Sequence, residues 1–311
     1  MEGPRAGPFC KLGDAMSAAS ELGAKPAPVT AESLRSGKGG GDENFPVASL
    51  LIAAPLRPVI LAFYDFVRAG DDVADHPDLP PEQKRALLDQ LDQSLIGASD
   101  AEPLGVRLRG LLARRGLTDR HARDLLDAFR RDVDKNRYES WDELIDYCRL
   151  SAMPVGRFLL DVHGESRDLW PSSDAVCAAL QINNHLQDCA KDFRALNRVY
   201  VPRQALQENG ARVEDLGAAR ATPALRKCLR DLALRNRALL VEGGCLAGNI
   251  EDFRLSMEIA VVVRHAFKIA DLLIARDPLS ECVKLGKGQM LFGAVLAAAG
   301  AALSRAGRRR S

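Results

Sequence analysis

Apolar residues recur at helical spacing along almost the whole chain, and no stretch alternates as a strand would. The longest such run is SWDELIDYCRLSAMPVGRFLLDVHG, residues 140–164. Ser140 and Glu143 open it as a capping-box pair. Apolar residues follow at 141, 144, 145, 148, 152, 155, 159 and 162, one face of a helix. Pro154 inside the run predicts a kink, because proline lacks the amide hydrogen and crowds the preceding turn. Thr118 is placed to cap a helix over TDRHARDLLDAFRRDVDKN, and Thr222 with Pro223 to start another. Further helices are predicted near 46–54, 58–75, 81–96, 103–114, 173–195, 251–276 and 278–304. No repeat and no linker follows residue 45, so the pattern predicts an all-α fold with one helical domain over 43–304.

The ends differ from this body. Residues 1–42 are rich in Gly, Ala, Ser and Pro, and are expected to form a disordered tail. Their glycine cluster, SGKGGGDEN, lacks the GK[ST] ending and the preceding strand of a phosphate loop. Residues 305–311 are a short basic tail. The apolar stretch MLFGAVLAAAGAAL (290–303) falls short of the ~20 residues that cross a bilayer. It reads as a core helix with a solvated basic end, or as peripheral contact with anionic lipid. Lys plus Arg is 43 against 42 for Asp plus Glu, so nothing points to a nucleic-acid partner. The 7 cysteines are scattered without a CxxC pair, as in the reduced thiols of a cytoplasmic protein.

Candidate chemistry lies in two acidic pairs. Asp71 and Asp75, in GDDVADHP, share a helical face at i and i+4, near a helix end where the dipole disfavours acids. Asp188 and Asp192, in NNHLQDCAKD, repeat the spacing, with Asn184 one turn earlier. A third pair, Asp142 and Asp146, stands at a helix start, where acids suit the dipole, and reads as a solvated face. Beneath the first two pairs the same helical stripes are apolar: Val59, Phe63 and Val67 under one, Val176 and Leu180 under the other. Facing each other in a bundle, the stripes would line an apolar shaft with a carboxylate-rich mouth. Oxygen ligands of that kind suit Mg²⁺ completed by substrate phosphates. The plain alternative is two amphipathic helices whose ends emerge into water.

With their flanks, these residues resemble the squalene/phytoene synthase family, over about residues 44–287. FYDFVRAGDDVAD looks like its first aspartate motif, and NHLQDCAKD followed by RVYVP (198–202) like its second. YCRLSAMPVG (147–156) takes the place of the kinked helix bordering the cavity. The resemblance implies an isoprenoid synthase helical bundle around a central cavity. It implies two or three Mg²⁺ ions on Asp71, Asp75, Asn184, Asp188 and Asp192. It also implies catalytic roles for Tyr64, Arg68, Tyr147 and Tyr200, and substrate contacts from Phe63, Val67, Leu180, Arg198, Lys284 and Lys287. Arg68 reads equally well as an i,i+4 partner of Asp72.

Departures from the family pattern select a branch. Gln187 stands where many condensing members have Arg, and Cys282 where a diphosphate-binding Arg is common, a contact Lys284 or Lys287 could take over. ENFPVASLL and SAMPVG replace a Ser-rich and a Gly-rich segment. These features resemble the hydroxysqualene-forming branch of bacterial hopanoid biosynthesis. Such a lyase would convert presqualene diphosphate and water to hydroxysqualene and diphosphate without NADPH, and the resemblance allows a place beside other enzymes of the pathway at the inner, cytoplasmic face of the membrane. The alternative within the family is a synthase condensing two prenyl diphosphates. Outside it stand a di-iron bundle, for which the chain has no Glu-x-x-His pairs, and a catalytically silent helical partner.

Overall fold

The computed structural model describes residues 30–34 and 52–286, and among these it contains α-helices, short 3₁₀ turns and no strand. The helices are α1 (Arg57–Asp75), α2 (Pro81–Ile96), α3 (Pro103–Arg115), α4 (Arg120–Asp134), α5 (Trp141–Ser151), α6 (Met153–His163), α7 (Trp170–Leu196), α8 (Arg203–Glu208), α9 (Pro223–Glu242), α10 (Leu246–Asn249) and α11 (Phe253–Ala275). Their starts follow from local chemistry. Ser140 Oγ accepts from Glu143 N at 3.2 Å and Thr222 Oγ1 from Leu225 N at 3.2 Å, while Asp252 caps α11. The Glu143 carboxylate reaches Glu139 N at 2.6 Å instead of Ser140 N, so the capping box is half made. Thr118 Oγ1 accepts from Arg120 N at 3.1 Å. Pro154 breaks the long helix as expected, with Ala152 at φ −135° and ψ −48° separating α5 from α6.

The helices bury two main cores. One joins α1, α2, α3 and α4 with Phe158 and Val162 of α6; the other joins α5, α7, α9 and α11 with Tyr138 and residues 199–201. Helix α6 belongs to both halves, because it packs on α4 on one side and on α7 on the other. Its approach to α7 is close at Gly156, where a Cβ would lie 2.6 Å from Cys177 Sγ and press on Ser173 Oγ. Gly164, at φ 72°, ends α6 in the left-handed conformation and turns the chain toward α7. Helices α1 and α7, which carry the two acidic pairs, are not a principal packing pair. Their C-terminal ends are linked through Arg198, which follows α7 and bonds Asp75.

Three expectations need correction or fall outside the described residues. Residues 30–34, within the stretch expected to be a disordered tail over 1–42, form a 3₁₀ turn; Ala31 is fully buried and its N–H donates to Glu102 Oε1 at 2.7 Å. Burial of an otherwise lone carboxylate at the start of α3 recruits that turn. Residues 278–286 are turn and coil, not helix, because the Asp277 carboxylate accepts from Leu279 N at 3.0 Å and Ser280 Oγ at 2.7 Å. The remainder of 278–304, the basic tail and most of the helix at 46–54 lie outside the described residues, and residues 52–56 are bend and turn.

Two stability predictions follow from this packing. Gly156→Ala should destabilise the fold by about 1–3 kcal/mol, the range for overpacked sites, as read by denaturant unfolding. An unchanged midpoint would mean that α6 and α7 separate freely. Deleting residues 1–42 should lower the melting temperature by roughly 2–6 °C through loss of the Ala31–Glu102 contact, where composition alone predicts no change.

Candidate active site

The acids at the end of α1 are compensated by the protein's own cations. Arg68 Nη2 lies 2.9 Å from Asp72 Oδ1 and its Nη1 lies 3.2 Å from Asp71 Oδ2, so the i,i+4 role of Arg68 is realised. Arg198 Nη1 donates to Asp75 Oδ1 at 2.7 Å. Lys84 Nζ donates to Ala74 O at 2.8 Å, satisfying a free carbonyl at the helix end. Arg198, a candidate substrate contact, is 8% exposed and bonds Asp75 and, at 3.3 Å, the backbone carbonyl of Asp132. Asn197, at φ 49°, ends α7 in the left-handed region and turns Arg198 back toward α1.

The second motif faces the first across this bridge. Asn184, Asp188 and Asp192 are all half-buried along α7, and Lys191 Nζ stands 3.6 Å from Asp188 Oδ2. Burial pushes the Asp192 carboxyl up to about 6, with further upward push from Asp188 and Asp75 against Lys191 and Arg198. Burial, then Asp75, raises Asp71 to about 7 against the opposing pull of Arg68. Water screens part of that repulsion, since 38% of the Asp71 side chain is exposed. Carboxylates of the two motifs thus act on one another. Asp142 and Asp146, by contrast, are solvated, with side chains 92% and 58% exposed.

A buried polar cluster connects to the first motif through Arg198. Tyr147 Oη donates to Asp132 Oδ2 at 2.6 Å and lies 3.4 Å from Tyr200 Oη. His185 stacks on Tyr200 with ring centroids 3.5 Å apart, and Tyr138 stacks on the same ring at 5.4 Å. Burial lowers His185 to about 3, so it is neutral and serves as a packing partner, as its place on α7 suggests. Asp132 and Tyr138 escape a reading of the sequence, because neither belongs to an acidic pair or a helical stripe.

The expected apolar shaft is narrow. Phe63 is 5% exposed, its ring stacked on Phe158 at 3.8 Å, so it is closed off rather than open to a ligand. Val67 and Tyr64 are half-buried on α1. Leu180 and Asn184 line a small cavity of about 20 Å³ with Asn183, His265 and Ile269, between α7 and α11. Gln187 Nε2 donates to the carbonyl of Val283, tying the segment after α11 to the second motif. Lys284 is exposed on that segment, and Lys287 lies outside the described residues.

Residues 39–289 match the squalene/phytoene synthase family. The chain belongs to that family. It is 57% identical over 257 residues to the hydroxysqualene synthase of Rhodopseudomonas palustris, covering 83% of this chain and 88% of that one. It is 53% identical to the hydroxysqualene synthase of Sinorhizobium fredii, over 85% and 91% of the two chains. Identity falls to 28% with the phytoene synthase of Thermus thermophilus, over 70% and 75%. The crystal structure of squalene synthase HpnC from Alicyclobacillus acidocaldarius superposes with a TM-score of 0.64 at 35% identity, covering 74% of this chain and 86% of that one. The all-α fold and an enzyme class acting on prenyl diphosphates come with membership of the squalene/phytoene synthase family.

A divalent cation suits the donor chemistry of this member of the family. The donors are carboxylate and amide oxygens, and the Asp71 and Asp192 carboxyls are raised first by burial and then by neighbouring aspartates, charge that a cation would offset. Among the described residues no three acidic, imidazole or thiol groups are close enough to form a ready-made metal site. Arg198 and Arg68 hold Asp75 and Asp71 meanwhile.

A linkage prediction follows. Asp132 and Asp192 hold protons in the folded state up to about 6, whereas 3.8 is their ordinary value. Their contribution to stability is complete at low pH and is lost as pH rises through the folded values. A Mg²⁺ ion held by Asp192 would compete with protons there, so added Mg²⁺ should raise the melting temperature more at about pH 7.5 than at about pH 5. An equal shift at both, or a shift retained in Asp192→Asn, counts against the site.

Proposed function

We infer that this chain converts presqualene diphosphate and water to hydroxysqualene and diphosphate, as a lyase of squalene and hopanoid biosynthesis. The contrast in identity carries the reading: 57% and 53% with hydroxysqualene synthases against 28% with a phytoene synthase, each over at least 70% of the chain. The neutral Gln187 supports it, since one diphosphate brings less charge to the second motif than two.

Mg²⁺ would be held by Asp71, Asp75, Asn184, Asp188 and Asp192, and when bound would neutralise charge on the departing diphosphate. Arg68, already beside Asp71 and Asp72, adds a charge-assisted donor at the same end. Side chains such as Leu180, Val67 and Phe63 exclude bulk water while the cyclopropylcarbinyl cation rearranges. Phe63 must rotate off Phe158 to admit the hydrocarbon, which costs on the order of a ring-stacking interaction, about 1 kcal/mol. Tyr147 and Tyr200 offer hydroxyls that hold the single water that captures the cation, with Tyr64 a further candidate on α1. No described helix is long and apolar enough to cross a membrane. Peripheral contact through 290–311 stays part of the proposal, and those residues lie outside the described ones.

Asp71→Asn and Asp188→Asn should each lower kcat by at least about a hundredfold with an unchanged circular dichroism spectrum, because loss of metal-borne charge stabilisation is worth several kcal/mol. Near-normal turnover in both would remove the metal assignment. Incubation with presqualene diphosphate and Mg²⁺ in ¹⁸O-labelled water, without NADPH, should give labelled hydroxysqualene by mass spectrometry. Presqualene diphosphate or phytoene formed from simpler prenyl diphosphates, or squalene formed only with NADPH, would overturn the reading.

A further inference from the structure

Asp132 is a buried carboxylate that the reaction above leaves without a task. It lies in the last turn of α4, outside both aspartate motifs, and is 9% exposed. No cation reaches its side chain within ion-pair distance among the described contacts, and Oδ1 is buried with no hydrogen-bond partner. Only its backbone carbonyl meets Arg198. Such a group costs stability wherever it is placed, and an apolar residue would cost less. Its one side-chain partner is Tyr147 Oη, at 2.6 Å.

That bond fixes the polarity of the tyrosine pair. Tyr147 has a single hydroxyl hydrogen, and a carboxylate can only accept it. In the 3.4 Å contact between the two hydroxyls, Tyr200 is therefore the donor. The Tyr147 oxygen keeps a lone pair and has no hydrogen left to give to a third group. We propose that Asp132 is a positioning residue for water capture, holding the Tyr147 hydroxyl as a hydrogen-bond acceptor for the attacking water.

The inference rests on the hydroxysqualene reading. As the water oxygen donates a lone pair to the carbocation, the new C–O bond forms and one water O–H bond breaks. That proton passes to the Tyr147 oxygen while the phenolic hydrogen passes to Asp132 Oδ2, and the diphosphate has already left with its bonding pair. Without Asp132 the Tyr147 hydroxyl is free to point its hydrogen at the water. Capture then slows, and the cation loses a proton to give a diene-type hydrocarbon more often.

A double-mutant cycle tests this on the intact protein with presqualene diphosphate and Mg²⁺. Asp132→Asn should lower kcat by about tenfold to a hundredfold, with KM within about twofold, and should raise the ratio of elimination product to alcohol. In a Tyr147→Phe background the same change should alter kcat by less than about threefold, since the two residues act as a unit. Asp132→Glu, which keeps an acceptor, should recover part of kcat. Full kcat in a folded Asp132→Asn, or an equal loss in both backgrounds, overturns the proposal. If Asp132→Asn does not fold, Asp132→Ser takes its place in the cycle, and failure of both marks Asp132 as purely structural and overturns it as well. A wild-type protein that makes no hydroxysqualene would instead defeat the reaction reading, and the cycle would then be read on whichever prenyl diphosphate is turned over.

Discussion

Carboxylates gathered in a half-buried mouth repel one another, and the C-terminal ends of α1 and α7 are organised around holding that repulsion in check. Arg198 is the main restraint. It reaches from the turn after α7 to Asp75 at the end of α1, joining two helices that are not a principal packing pair. Its other nitrogen meets the carbonyl of Asp132, so one guanidinium spans α1, α4 and the turn after α7. A buried arginine in a fork of oxygens is geometrically demanding, since a guanidinium offers its donors in one plane. The first acidic motif and the backbone of Asp132, whose side chain meets Tyr147, are thus joined through a single side chain.

The same restraint gives the site an exchangeable character. On the proposed function, the salt bridges from Arg68 and Arg198 occupy oxygens that an incoming cation would also use. Binding of a metal–diphosphate pair would then be an exchange of partners, with arginine charge released toward phosphate as carboxylates turn to the metal. Arginine serves both states because it bonds carboxylate and phosphate with similar geometry. Beneath this polar mouth lie rings and aliphatic side chains that would leave a carbocation few nucleophiles other than a chosen water.

Local chemistry was readable from residue order alone. The cap at Ser140, the break at Pro154 and the i,i+4 pairing of Asp71 with Asp75 depend on neighbours within a turn or two, and each appears in the structure. Partnerships across the fold were not readable. Arg198 and Asp75 are 123 residues apart, and Tyr147 meets Asp132 from the far side of a loop. Nothing in spacing distinguishes Asp132 from the solvent-facing aspartates of α4. Ala31 was hidden by its setting, a Gly- and Pro-rich stretch whose average composition argues against packing while one turn within it packs. The coil at 278–286 departs from the helix predicted over 278–304, because Asp277 and Glu281 spend their carboxylates on the backbone of a turn.

Gln187 has a consequence for how enzymes of this kind can change their chemistry. Its amide nitrogen is bonded to the carbonyl of Val283, so Gln187 straps down the segment after α11 beside the second motif. A substitution at Gln187 would act in two places at once, on the polar surroundings of Asp188 and on the anchoring of residues 282–286, so its effect would depend on what occupies the neighbourhood of Val283.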